Sequence, residues 1–193
     1  MKVERLALDG VVVVTPARHG DARGYFSETW NQRRLAEAGI DASFVQDNES
    51  LSATPGTVRG LHYQAPPAAQ AKLVRVIAGA IRDVVVDVRA GSPGFGQWVA
   101  VELSAEAGNQ LFVPRGFLHG FVTLTPDVLV QYKVDNFYDA KADGSVAWND
   151  PDLGIDWGIA ADAAVVSAKD AAAPAFKDWT TPFSFETHSE TGK

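Results

Sequence analysis

Cysteine is absent from the 193 residues. That removes disulfide frameworks, thiolate chemistry and cysteine-ligated zinc from consideration. Cations are also scarce: 17 Lys and Arg stand against 24 Asp and Glu, a net charge of -7. Nucleic acid and anionic membranes are therefore poor bulk partners, and a small anionic ligand requires cations gathered locally. No run approaches the ~20 apolar residues that span a bilayer. The opening stretch MKVERLALDGVVVV has neither a long apolar run nor a cleavage-like site, so no signal peptide is expected and the cytoplasm is the default location. Solenoid repeats and low-complexity linkers are missing too. With 46% apolar and 21% charged residues, the chain can bury a real core. The expectation is one domain over residues 1–193, with a polar, frayed tail from about 187 to 193.

What is present is a series of short, β-prone runs cut by Gly and Pro. Residues 11–14, 25–30, 44–50, 81–88, 97–103, 111–113, 120–124 and 128–134 all read as strands or strand-like runs, besides two in the central stretch below. Only two patches read as helical. One is 31–38, which Gly39 stops; the other is the Ala-rich stretch 160–173. Many short strands with turn residues between them predict a mainly all-β sandwich or barrel.

The stretch between Gly56 and Gly79 carries the chemistry. It reads G-T-V-R-G-L-H-Y-Q, a Pro/Ala-rich connection, then K-L-V-R-V-I-A-G. His62 and Gln64 are two apart and share a face of a strand; Lys72 heads an apolar row with Val74 and Val76. Arg59 and His62 would face opposite sides of a regular strand. Both reach one pocket only if the chain bulges, and Gly60 is the place for it. The spacing Gly56–His62–Gln64–Lys72–Gly79, followed by Gly108–Pro114–Gly116–His119–Thr123, resembles the two motifs of a cupin-like jelly-roll barrel. Metal-binding cupins place His, His, Glu and His at positions that here hold His62, Gln64, Lys72 and His119. A lysine repels a divalent cation, so the expectation is barrel geometry without a metal and without a cofactor.

A His and a Lys in such a cavity suit proton abstraction beside a carbonyl. Neutral imidazole takes the proton, and the ammonium stabilises the enolate oxygen. An acid must return the proton, and Tyr132, on a face with Val128 and Val130, is a candidate. Return to the opposite side of the carbon inverts the centre, which is epimerisation.

Eight segments extend this reading: R-G-Y-F-S-E at 23–28, F-V-Q-D-N-E-S at 44–50, G-T-V-R-G-L-H-Y-Q at 56–64, K-L-V-R-V at 72–76, D-V-R-A-G-S-P-G-F-G-Q-W at 87–98, V-P-R-G-F-L-H-G-F at 113–121, Y-K-V-D-N-F-Y at 132–138 and W-N-D-P-D-L-G-I-D-W at 148–157. In order and in spacing, they resemble the dTDP-4-dehydrorhamnose 3,5-epimerase family. The resemblance implies a homodimer of jelly rolls acting on a dTDP-4-keto-6-deoxyhexose. It implies His62 as base, Asp170 as the carboxylate orienting it, Tyr132 as acid and Lys72 as enolate stabiliser. Arg23, Phe26, Glu28, Gln46, Asn48, Arg59 and His119 match positions that hold the nucleotide-sugar, with Arg23 to Glu28 lying near the partner's site. Tyr138, Asp143 and Lys169 match further contact positions. Two rim features depart from the family pattern: G-S-V follows Asp143, and Phe137 stands where many relatives have Tyr.

Without the resemblance, Asp170 reads as a helix-start residue, and His62, His119 and Tyr132 taken singly read as structural. Three other functions compete: a metal dioxygenase, a non-catalytic cupin sugar-binding module, and a monofunctional 3- or 5-epimerase. Gln64 and Lys72 argue against the first, and the retained acid–base set argues against the second. One sequence does not separate the third.

Overall fold

The computed structural model describes residues 1–185; the expected frayed tail lies outside them. The chain begins with β1 (Lys2–Arg5), β2 (Val12–Thr15) and a small hairpin, β3 (His19–Asp21) and β4 (Gly24–Phe26). A short helix α1 (Gln32–Glu37) follows, then β5 (Gln46–Ser52), β6 (Thr57–Gln64), β7 (Lys72–Ala78) and β8 (Ala80–Asp87). Next come β9 (Trp98–Ser104), β10 (Gln110–Val113), β11 (Phe117–Thr123), β12 (Val128–Val134) and β13 (Asp143–Ser145). The described chain closes with β14 (Val165–Val166), the one-turn α2 (Ala168–Ala171) and irregular segments.

Two sheets face each other. The first runs β1-β2-β10-β7-β12-β5, and the second β13-β6-β11-β8-β9, with β14 added parallel to β6. The other strand pairings are antiparallel; besides the neighbours β1–β2, β3–β4 and β8–β9, they join strands that are not consecutive in the chain, as in a jelly roll. Between the sheets lies the inner core. Val13, Val74, Val76, Leu111, Val128 and Val130 come from the first sheet, and Ile81, Val85, Leu103, Phe117 and Phe121 from the second.

Alternation alone would leave the other faces wet, yet both are covered. Val12, Val14, Leu73 and Phe112 on the first sheet pack under Leu35 of α1 and Ile40. Val58, Leu61, Val84, Val86 and Leu118 on the second lie beneath Trp148, Leu153, Trp157 and Phe183. This explains why β2 and β8 read as continuous valine runs: each supplies two cores at once.

The first helical patch forms nearly where expected. Asn31 caps it by accepting a hydrogen bond from the Arg34 amide, and Gly39 leaves it at φ +84°. The second patch does not form as a helix over 160–173. It breaks into a 3₁₀ turn at Ala161–Ala163, the strand β14 and α2. Alanine propensity gives this stretch no apolar stripe to bury, while the β-branched Val165 and Val166 find open partners in Thr57 and Val58. The run 25–30 likewise stays a strand only to Phe26. Past it, the Thr29 carbonyl accepts from the Gln110 side chain instead of a strand neighbour.

Among the described residues, no helix is long and apolar enough to cross a membrane.

Candidate active site

A cavity of about 430 Å³ opens between the sheets, lined by Arg59, His62, Lys72, His119, Tyr132, Lys169 and Asp170 among others. β6 supplies two of these through a local irregularity. Between the His119–His62 and Phe121–Arg59 pairs, β6 carries one residue more than β11. Val58 and Leu61, three apart, therefore both pack outward, while Arg59 and His62, also three apart, both reach the cavity. The bulge sits at Gly60, with φ +130°, where an added Cβ would lie 2.6 Å from the Gly120 Cα. Only glycine suits both the dihedral and the close approach. The expected bulge is thus found at the expected residue.

His62 faces the cavity with its side chain 32% exposed, and its Nε2 lies 2.6 Å from Asp170 Oδ1. An ionised carboxylate only accepts, so Nε2 carries the proton and the lone pair is on Nδ1. Asp170 is itself fixed. Its amide donates to Ser167 Oγ, the cap of α2, and its Oδ2 accepts from the Gly60 amide. Burial lowers the His62 pKa and the Lys72 charge lowers it further, while Asp170 raises it; the net direction is down. His62 is accordingly a neutral base at neutral pH.

Lys72 enters from the start of β7. Burial pulls its ammonium down to about 8, against the opposing influence of Asp83 and Asp143. It stays mostly charged at neutral pH. Tyr132 enters from β12, and burial raises its phenol pKa despite the nearby Arg59, so it holds its proton. The cavity thus contains a base without its proton, an acid with one, and a cation.

Arg59 reaches the lining while donating to Ser52 Oγ and the Leu51 carbonyl, both at 3.0 Å. His119 is nearly sealed, its Nε2 2.6 Å from Asp83 Oδ1. At the rim, Asp143 gathers Lys169 and the Tyr138 hydroxyl. Gln46 and Asn48 hydrogen-bond each other on β5, and Asn48 sits directly beside Tyr132.

Three expected ligand residues lie elsewhere in this chain. Arg23 pairs with Asp21 at the tip of the β3–β4 hairpin, its side chain 89% exposed. Phe26 and Glu28 line a separate hollow with Trp30 and Arg34. Gln64 also stays out of the cavity lining, although it was expected on the His62 face. Its amide donates to the Ala68 and Phe137 carbonyls and accepts from the Asp139 amide, pinning the segment after β12. Among the described residues, no three His, Cys, Asp or Glu side chains converge where an ion could sit.

Asp83 was missed by sequence reasoning. Its signal was available: Ile81 and Val85 face the inner core, so the carboxylate between them on β8 faces it too. Ser50 is a second omission, a cavity-lining hydroxyl with no hydrogen-bond partner among the described residues.

Facing sheets around a polar, acid–base-equipped cavity define a cupin-like enzyme that moves protons. The sequence profile of the family described as dTDP-4-dehydrorhamnose 3,5-epimerase matches residues 5–178. A protein of that name from Pseudomonas aeruginosa is 49% identical over 179 residues, covering 92% of this chain and 97% of its own. The crystal structure of such an enzyme from Elizabethkingia anophelis superposes with a TM-score of 0.88 at 46% identity, covering 92% of this chain and 97% of that one. The Legionella pneumophila enzyme, solved with dTDP-4-keto-L-rhamnose, gives a TM-score of 0.86 at 42% identity, covering 90% and 92%. The chain belongs to the dTDP-4-dehydrorhamnose 3,5-epimerase family.

Proposed function

We propose that this protein inverts C3 and C5 of dTDP-4-dehydro-6-deoxy-D-glucose, giving dTDP-4-dehydro-L-rhamnose. The observation that carries the reading is the His62–Asp170 pair, 2.6 Å apart, facing the same cavity as Lys72 and Tyr132. The substrate's 4-keto group acidifies the hydrogens on both neighbouring carbons, because each carbanion delocalises onto oxygen. His62 removes a proton through its unprotonated nitrogen, and Asp170 stabilises the imidazolium that forms. Lys72 stabilises the enolate oxygen, and Tyr132 delivers a proton from the other face. No metal or organic cofactor is needed for these steps.

Arg59, His119 and the Tyr138–Asp143–Lys169 cluster are proposed to hold the nucleotide-sugar, together with Gln46 and Asn48. The dTDP-sugar bound to the Legionella relative supports this ligand class. A homodimer in the cytoplasm completes the proposal. In it, the exposed hairpin offers Arg23, Phe26 and the following Glu28 to the partner's cavity; Phe26, 71% exposed, supports that role. Sedimentation as a monomer at micromolar concentration would contradict the dimer.

The direct test is NMR of the substrate incubated with the protein in D₂O. Deuterium enters at both C3 and C5, with inverted product. Uptake at one carbon alone would mark a monofunctional epimerase, and binding without exchange a passive sugar module. Tyr132→Phe keeps the base, so exchange persists while inverted product falls sharply. A Tyr132→Phe variant that epimerises at the normal rate would transfer the acid's role elsewhere, Tyr138 first. The pH dependence of kcat/KM is bell-shaped. Activity rises as His62 loses its proton, at a pKa below 6.5, and falls as Lys72 loses its own near 8. A profile flat across both limbs would contradict these protonation states.

A further inference from the structure

Asp83 is fully buried on β8, behind His119 and off the cavity lining. Phe121 and Val101, its strand partners on either side, belong to or pack against the inner core, so its carboxylate is surrounded by apolar side chains. One oxygen holds His119 at 2.6 Å. The other, Oδ2, is buried with no hydrogen-bond partner among the described residues. An ionised oxygen left so is costly unless a nearby charge compensates it. Lys72 lines the same cavity as His119, makes no ion pair of its own among the described residues, and is the cation whose charge Asp83 supports.

We propose that Asp83 is a positioning residue for the proton transfer: one oxygen fixes the His119 ring, and the other supplies the counter-charge that keeps the Lys72 side chain an ammonium inside the cavity. This inference rests on the epimerase reading above for its kinetic consequence, but its electrostatic content does not depend on it. Burial alone pushes Lys72 toward the neutral amine, and of the charges opposing burial Asp83 exerts the largest effect, ahead of Asp143. The groups sharing the cavity with Lys72 are His62 on β6, His119 on β11, Tyr132 on β12 and Arg59, Lys169 and Asp170 around them. The other strand paired with β7, β10, presents only Val113 beside Lys72. Of the other carboxylates, Asp170 is paired with His62 and Asp143 is shared with Lys169 at the rim.

A neutral amine cannot stabilise an enolate by charge, so loss of Asp83 acts on the alkaline limb of the pH profile. In Asp83→Asn, that limb of kcat/KM moves to lower pH by about one unit, the lower range of what an adjacent opposite charge exerts. The acid limb, set by His62, stays in place. Asp83→Glu keeps the charge, so its alkaline limb stays near the wild-type position even where the rate falls. A role confined to packing would lower the rate of Asp83→Asn at every pH and leave both limbs unmoved, which would overturn the proposal.

A second measurement needs no change at Asp83. In the wild-type protein, the ¹³C carboxyl resonance of Asp83 follows the Lys72 titration near pH 8, and Lys72→Met abolishes that movement. An Asp83 resonance that stays flat while Lys72 titrates would overturn the proposal whether or not Asp83→Asn folds. Failure of the wild-type protein to exchange substrate protons would instead remove the epimerase reading and leave the carboxyl titration to be judged by itself.

Discussion

Two histidines of one cavity each hold a carboxylate at 2.6 Å, and the two pairs are built for opposite ends. His119 and Asp83 are 36 residues apart on neighbouring antiparallel strands, with side chains 9% and 0% exposed. The ladder itself brings them together and the core seals them. His62 and Asp170 are 108 residues apart. Here the carboxylate arrives on a one-turn helix laid against β6, and the imidazole remains 32% exposed toward the cavity. A sealed pair holds a ring still; an accessible pair can take a proton from a ligand and give it back. What distinguishes a proton-transferring histidine from a holding one is therefore the open face of the ring, not its distance from a carboxylate.

The largest expected effect breaks the open pair. His62→Ala lowers epimerisation by roughly 10²–10⁴-fold, the usual contribution of a positioned acid–base group. Steady-state kinetics on dTDP-4-dehydro-6-deoxy-D-glucose measure it, and a loss under tenfold would contradict the role. Lys72→Met comes next. It removes the charge opposite the enolate and costs roughly 10²–10³ in kcat, the effect of losing an oxyanion donor. Full kcat with a raised KM would instead make Lys72 a binding group.

A third change leaves the chemistry alone and attacks the bulge that lets Arg59 and His62 share the cavity. Gly60→Ala places a Cβ against the backbone at a left-handed φ. It should destabilise the fold by about 2–4 kcal/mol, as strain at special backbone positions does. Denaturant unfolding reads this directly, and an unchanged midpoint would mean the backbone relaxes freely there. The smallest effect is at Ser167, whose hydroxyl caps α2 by accepting from the Asp170 amide. Ser167→Ala costs about 1 kcal/mol of stability and, by loosening Asp170, lowers kcat without touching the sealed pair. Equal losses from Ser167→Ala and from a remote cap such as Asn31→Ala would separate α2 from catalysis.

The same contrast explains what was legible in the sequence. The strands and the spacing of Gly56, His62, Lys72, Gly108 and His119 followed from local rules. The bulge at Gly60 needed the family resemblance as well, because that is what puts Arg59 and His62, three apart, in one pocket. Asp170 was different. Its surroundings, Ser-Ala-Lys-Asp followed by alanines, describe only a helix start, and its place beside His62 depends on how a distant segment crosses β6. Propensity also misread the alanine-rich stretch around it, because the open edge of β6 recruits Val165 and Val166. Asp83 was overlooked although its signal was local: a carboxylate between Ile81 and Val85, which both face the inner core. Gln64 was placed on the right strand, but its partners were not legible, since the segment that it pins arrives from beyond β12.

The most direct test of the central claim is deuterium uptake at C3 and C5 of the substrate in D₂O, followed by NMR with His62→Ala and His119→Ala in parallel. The account predicts no uptake with His62→Ala over the time in which the wild-type protein exchanges fully, and slower but continuing uptake with His119→Ala. Uptake at the wild-type rate with His62→Ala would contradict it.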